Sequence, residues 1–201
     1  MTQWGMVIDQ TRCVGCYACT IACKVENSTP RGIWYAPVYE KEVGKYPSTK
    51  REFLPTLCNQ CKDAPCMAAC PTGAITRRPD GIVEIDPNVC CGSRACVAAC
   101  PYGAIHFYDD DGGEFGEELT PFEMLFKDKY QKGTVQKCTF CSHRIDAGIY
   151  TPACVEACPT SCRIFGDLED PDSNVSQYIR RKNAHQPKPE AGTDPSVWYV
   201  S

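Results

Sequence analysis

The chain has 201 residues, a length for one or two small domains, with a net charge of −4 and 17 cysteines against 3 histidines. The acidic balance argues against a nucleic-acid partner, and no apolar stretch approaches the roughly 20 residues of a membrane helix. Hydrophobic content of 43% counts the cysteines as well, so the aliphatic core is thin and bound cofactors are expected to staple the fold.

Met1–Gly5 lacks a basic region followed by an apolar run, which predicts no secretory signal. The first cysteine group is Cys13, Cys16, Cys19 and Cys23, spaced C-x2-C-x2-C-x3-C. A long connection follows, with Trp34, Tyr35 and Tyr39 available for partner contact or internal packing. The second group is Cys58, Cys61, Cys66 and Cys70, its middle gap widened to four. Gly73–Ile85 reads as two short strands around a turn at Pro79–Gly81. The third group is Cys90, Cys91, Cys96 and Cys100. Ala68–Ile75 (AACPTGAI) and Ala98–Ile105 (AACPYGAI) are copies of one unit. Asp109–Glu118 is acidic and Gly-rich, expected as an exposed loop. The fourth group is Cys138, Cys141, Cys154 and Cys158, and Cys162 stands alone. Residues 171–201 offer few apolar anchors and several prolines, which predicts a tail lying along a surface.

Each group ends in C-x3-C, followed by proline in three cases, Pro71, Pro101 and Pro159. This is the bacterial ferredoxin run, in which the fourth cysteine serves the neighbouring cluster of a pair. Three thiolates in one tight loop each take a corner of a cube. The fourth is expected on a short helix, pointing away, with proline turning the chain back into strand. Loop amides then offset the negative charge of the sulfurs. A disulfide framework sits badly with the odd cysteine count and the CxxC loops. Structural zinc uses paired CxxC units rather than C-x2-C-x2-C-x3-C-P, and a zinc-bound interaction module would be colourless. No C-x3-C-x2-C run of a radical adenosylmethionine enzyme occurs, and no nucleophile–base set or phosphate loop.

Taken together, the groups resemble the four-cluster iron–sulfur subunits of molybdopterin respiratory oxidoreductases, the dimethyl sulfoxide reductase superfamily. The likeness is greatest to its polysulfide, thiosulfate and arsenate reductase branch. It is carried by Gly5–Cys23 (GMVIDQTRCVGCYACTIAC), Lys137–Arg144 (KCTFCSHR), Cys154–Asp170 (CVEACPTSCRIFGDLED) and Pro189–Val200. The resemblance implies an α+β fold of two pseudo-symmetric ferredoxin-like lobes with long connecting loops. The outer lobe takes residues 1–53 and 135–170, the inner one 54–108, with an insertion loop at 109–134 and a surface tail at 171–201.

It further implies ligand sets paired outer with outer and inner with inner. The first cluster takes Cys13, Cys16, Cys19 and Cys158, the second Cys138, Cys141, Cys154 and Cys23, the third Cys58, Cys61, Cys66 and Cys100. The fourth takes Cys90, Cys96 and Cys70 with one open ligand, because Ser93 stands where a cysteine belongs and Cys91 comes two residues early. That site is expected to hold a three-iron cluster, as in nitrate reductases of the superfamily, or a four-iron cluster completed by Ser93 or Cys91. Losing a thiolate corner would raise its potential. The other three are expected to be [4Fe-4S]. The implied role is a non-catalytic electron relay from a molybdopterin catalytic subunit, at the first cluster, to a quinone-handling integral membrane anchor, at the fourth. The alternative is a free polyferredoxin shuttle. Membrane association would come through the partner, on the periplasmic or outer face, although some relatives stay cytoplasmic. Cys162 reads as a buried thiol and not a substitute ligand. His143 lacks the second histidine of a Rieske site, and His106 and His185 read as strand and surface residues. Lys24, Arg94, Lys137 and Arg144 lie close to the ligands and either tune potential or are solvated.

Overall fold

The computed structural model describes residues 2–110 and 112–201; Met1, and Asp111 of the acidic run, lie outside the described residues. Strand β1 (Trp4–Asp9) is buried from Gly5 onward. Helix α1 (Ala18–Asn27) carries Cys19 and Cys23 on its buried side and ends at left-handed Ser28. The connection to the second group is a hairpin, β2 (Val38–Lys45) with β3 (Ser48–Pro55), paired from Val38–Pro55 to Lys45–Ser48. Tyr35 packs inward, its hydroxyl donating to Gln136 Oε1 at 2.5 Å, whereas Tyr39 faces solvent. Lys24 Nζ lies 4.8 Å from the Trp34 ring centre.

The two sequence copies form the same local structure. Helix α2 (Pro65–Ala68) leads to β4 (Ile75–Arg77), which pairs with β5 (Val83–Ile85) across the turn expected at Pro79–Gly81. Helix α3 (Ala95–Ala99) leads to β6 (Ile105–Tyr108). The insertion is more than a loop, because Thr120 and Glu123 form a capping box at the start of α4 (Pro121–Phe126). Strand β7 (Thr134–Lys137) pairs antiparallel with β6. The expected lobe boundary at 135 therefore falls inside a strand bound to the 54–108 segment.

Helices α5 (Ser142–Asp146) and α6 (Ala153–Glu156) hold the fourth group, followed by β8 (Arg163–Asp167). Beyond it the expected surface tail is corrected. Helix α7 (Asn174–Lys182) starts on a Ser173 cap and ends in Arg180, Arg181 and Lys182, cations that suit its negative end. Strand β9 (Val197–Val200) joins the sheet in the order β8–β1–β9, in which β1 runs antiparallel to β8 and parallel to β9. Val7, Val175, Tyr178 and Val200 form a core of their own beneath it. These few apolar side chains suffice because each is almost wholly withdrawn from water, and a buried valine contributes about 1.5 kcal/mol or more.

Asp9 ties this terminal layer to β1. Its carboxylate, 1% exposed, accepts the Thr11 amide (3.0 Å), the Thr11 hydroxyl (2.6 Å) and the Tyr178 hydroxyl (2.5 Å). Burial alone would raise its pKa, but these hydrogen bonds outweigh burial and hold it below the ordinary value. Asp9→Ala is expected to cost about 1–3 kcal/mol, read as an anaerobic melting midpoint lower by about 2–4 °C per kcal/mol. A depressed folded-state pKa gives stability above the unfolded value near 3.8. The difference between wild type and variant should therefore be full at neutral pH and shrink as pH falls through the folded pKa.

Candidate metal centres

All four groups share one backbone device. The second residue after the first cysteine is left-handed in each: Gly15 (φ 66°), Gln60 (φ 47°), Gly92 (φ 69°) and Phe140 (φ 53°). A non-glycine residue in this region costs on the order of 1–3 kcal/mol. In exchange, successive amides turn toward one concave space, the geometry that receives anions. At Gly15 a side chain is also excluded sterically, since a Cβ would lie 2.2 Å from the Phe53 ring. In the first and third groups a second left-handed residue, Tyr17 (φ 58°) or Arg94 (φ 60°), opens the helix carrying the third cysteine.

The third cysteine of every group, Cys19, Cys66, Cys96 and Cys154, is buried on a helix. The fourth was expected on the helix too, but only Cys23 is there. Cys70 and Cys158 lie past α2 and α6, and Cys100 closes α3 in extended conformation (φ −77°, ψ 111°). Pro71, Pro101 and Pro159 explain this, because a residue before proline is pushed out of the helical region. The first group has Lys24 in that place, so α1 runs on to Asn27.

The thiols gather in sets drawn from different groups. Cys58, Cys61, Cys66 and Cys100 line one cavity with Gln60 and Tyr102. Burial first, and then their mutual charges, push Cys61 up to about 12 and Cys66 to about 11. Cys23, Cys138, Cys141 and Cys154 form a second set. Burial and neighbouring thiols raise Cys23 and Cys138 far above the usual range and Cys154 to about 11. Asn27 Nδ2 lies 3.5 Å from Cys23 Sγ and 4.0 Å from Cys141 Sγ, and the Phe140 amide donates to Cys138 Sγ at 3.4 Å. Cys96 is raised by burial, then by Cys70 and Cys90. Cys158 and Cys13 both act on Cys162, while Cys16 is exposed on the same loop as Cys13. Among the described residues no three such side chains converge on a single-ion position; the thiols surround a space, as the cavity of the Cys58 set illustrates.

Thiols of different sets also act on one another: Cys19 on Cys154, Cys58 on Cys138, and Cys96 on Cys66. Buried thiols raised in this way stay protonated and neutral by themselves, and a coordinated metal removes the proton outright. The donor set thus fits soft, thiolate-bound iron–sulfur clusters.

In the third group, Gly92–Ser93–Arg94 repeats the backbone of Gly15–Cys16–Tyr17, left-handed on both sides of the central residue. Ser93 thus occupies the register of Cys16, and Cys91 points into solvent. Cys162 is buried and turned to Cys158, whose sulfur receives the Cys162 amide at 3.3 Å and lies 3.5 Å from Cys162 Sγ and 3.7 Å from Thr160 Oγ1. Partial burial would raise Cys158, but these contacts outweigh it and bring it down to about 7.

Of the basic residues near the ligands, Lys24 pairs with Glu114 (2.5 Å), Arg144 with Glu156 (2.6 Å), and Arg94 lies over the Phe107 ring. Lys137 is buried, donating to the Val83 and Cys138 carbonyls. His143 is exposed beside Glu26 (2.8 Å), His106 is partly buried in β6, and His185 is exposed. The residue that sequence reading missed is Arg163, fully buried among the thiols. The sole signal for it was a cation heading a strand whose next residues, Ile164 and Phe165, are apolar.

Residues 49–117 and 114–168 match the 4Fe-4S dicluster domain family, and residues 4–25 match a 4Fe-4S binding domain. The arsenate respiratory reductase iron-sulfur subunit of Shewanella sp. (strain ANA-3) is 42% identical over 98% of this chain and 95% of its own. A putative dimethyl sulfoxide reductase iron-sulfur subunit of Halobacterium salinarum is 44% identical over 100% of this chain and 80% of its own. A subunit of the tetrathionate reductase of Salmonella typhimurium is 38% identical over 98% of this chain and 72% of its own.

Proposed function

Because the chain belongs to the iron–sulfur electron-transfer subunits of molybdoenzyme respiratory reductases, we propose that it relays single electrons between a molybdopterin catalytic subunit and a quinone-linked membrane anchor, with no substrate chemistry of its own. The observation that carries this reading is that thiols of different sets lie within electrostatic reach of one another, Cys19 of Cys154, Cys58 of Cys138 and Cys96 of Cys66. Relatives that are subunits of respiratory reductases favour a fixed subunit over a free shuttle. We take the four centres as one row, a fixed conductor.

The ligand sets we assign are Cys13, Cys16, Cys19 and Cys158; Cys138, Cys141, Cys154 and Cys23; Cys58, Cys61, Cys66 and Cys100; and Cys90, Cys96 and Cys70. The first three suit [4Fe-4S] clusters. The last, with Ser93 at the second-ligand register and Cys91 turned outward, suits a three-iron cluster. These groups supply one-electron chemistry when bound, and the chain spaces them and sets the charge around them. Two ferredoxin-like lobes, one built from both ends of the chain, are the domain organisation that fits these sets.

Exposed apolar residues mark both ends of the row. Val14, Tyr17, Ile21 and Val25 form a stripe beside Cys16, where the catalytic subunit would dock. Val89, exposed, adjoins Cys90 on the side assigned to the anchor. No helix among the described residues is long and apolar enough to cross a membrane, so the membrane link is assigned to the anchor, on the outer face.

The native complex tests this. Anaerobically purified, it should hold about 15 iron atoms in this chain, with a three-iron EPR signal when oxidised. Cys158→Ala should lose one cluster and Cys162→Ala none. A colourless chain free of iron and labile sulfide would overturn the reading.

A further inference from the structure

Arg163 lies on β8 opposite Ile8 of β1, and its side chain turns inward, 2% exposed. Nη1 reaches only the Met6 sulfur, at 3.9 Å, and Nε and Nη2 have no hydrogen-bond partner. No carboxylate among the described residues pairs with it. A buried guanidinium left this way is costly by several kcal/mol, and the other buried cation, Lys137, is satisfied by two carbonyls. The ionisable groups that act on it are mostly thiols, Cys154, Cys19 and Cys162 and then the Tyr199 hydroxyl, with Cys23 also in range. Cys19 belongs to the first ligand set, Cys154 and Cys23 to the second. Each oxidised cubane with four thiolates is formally anionic by roughly two charges, so the missing anions of Arg163 are the two outer clusters.

We infer that Arg163 is a shared counter-charge between the first and second clusters, a positioning residue whose unpaired nitrogens donate to their sulfurs and favour their reduced states. The inference rests on the ligand sets proposed above. Reduction adds negative charge to a cluster, and a fixed cation between two of them makes that addition easier for both while leaving the inner pair untouched.

Potentiometric EPR titration of the native complex tests it with Arg163→Gln and Arg163→Lys. Gln should shift the reduction equilibrium of two clusters by about tenfold or more toward the oxidised state, which for one electron is about 59 mV lower, with the other two unmoved. Lys keeps the charge and should shift them less. Fully loaded variants with unchanged potentials, or an equal shift of all four clusters, would overturn the inference while leaving the ligand sets standing. Wild-type complex lacking the expected iron would instead sink those sets. Should Gln fail to load, recovery of loading in Lys supports the counter-charge, and failure of both overturns it.

Discussion

Stripping the iron from this chain with an anaerobic chelator should abolish its cooperative thermal transition and its near-ultraviolet circular dichroism. The interior is built around sulfur. Cys19, Cys23, Cys138 and Cys154 belong to the larger buried group of side chains, and Cys66 and Cys96 to the second. The strands that might substitute are short, three residues each in β4 and β5 and four in β6, β7 and β9. A structural metal site contributes on the order of 10 kcal/mol or more of folding free energy, as zinc fingers show, while a whole domain is typically stable by about 5–15 kcal/mol. Losing several such sites exceeds that margin. Without iron, the buried Arg163 also keeps its charge with nothing opposite it. Differential scanning calorimetry of apoprotein and holoprotein decides the matter, and an apoprotein that melts cooperatively near the holoprotein midpoint would refute it.

Cys138→Ala should cut quinol-linked turnover of the complex by about a hundredfold or more, a barrier increase of about 2.7 kcal/mol. Activity with a soluble dye that meets the catalytic subunit directly should persist. Cys138 is the thiol of the second set that feels Cys58 of the third, so it stands where the outer pair meets the inner pair. Its removal empties the middle of the row while leaving both ends loaded. Cys91→Ala, on an exposed thiol of the third group, is the matched control and should change neither activity. Equal loss of dye-linked and quinol-linked rates in Cys138→Ala would mean that the row is not the path.

The centres were far more legible in the sequence than the frame that holds them. Cysteine spacing is dictated by the corners of a cube, so the four groups declare themselves, and the paired AAC-P-x-GAI units announced α2, α3 and the strands after them. The prolines in those units have a second effect that spacing alone does not show, since they also end the helix before the fourth thiol. The hairpin β2–β3 was illegible because most of its residues are exposed and polar or charged, leaving no alternation to read. Helix α7 did carry signals, a Ser173 cap and Val175, Tyr178 and Ile179 at helical spacing, but few apolar residues surround them. Strand β9 is only VWYV, and its partner lies near the other end of the chain. Nothing local marks such a pairing. Arg163 was hidden for a related reason: a sequence shows a charge but not whether a carboxylate or a cluster will face it.

The three-stranded sheet β8–β1–β9 has a consequence for biosynthesis. The loop with Cys13, Cys16 and Cys19 emerges from the ribosome before the other three cysteine groups, yet β1, which leads into it, is flanked by strands made some 155 residues or more later. The centre we place nearest the catalytic partner therefore closes late; its cradle is complete only after Val200 has left the exit tunnel. The two inner sites, in the sets we propose, draw every thiol from residues 58–100 and can mature while synthesis continues. With these sets, cofactor insertion would run from the inner centres outward, and the loop with Cys13, Cys16 and Cys19 would be among the last to be completed.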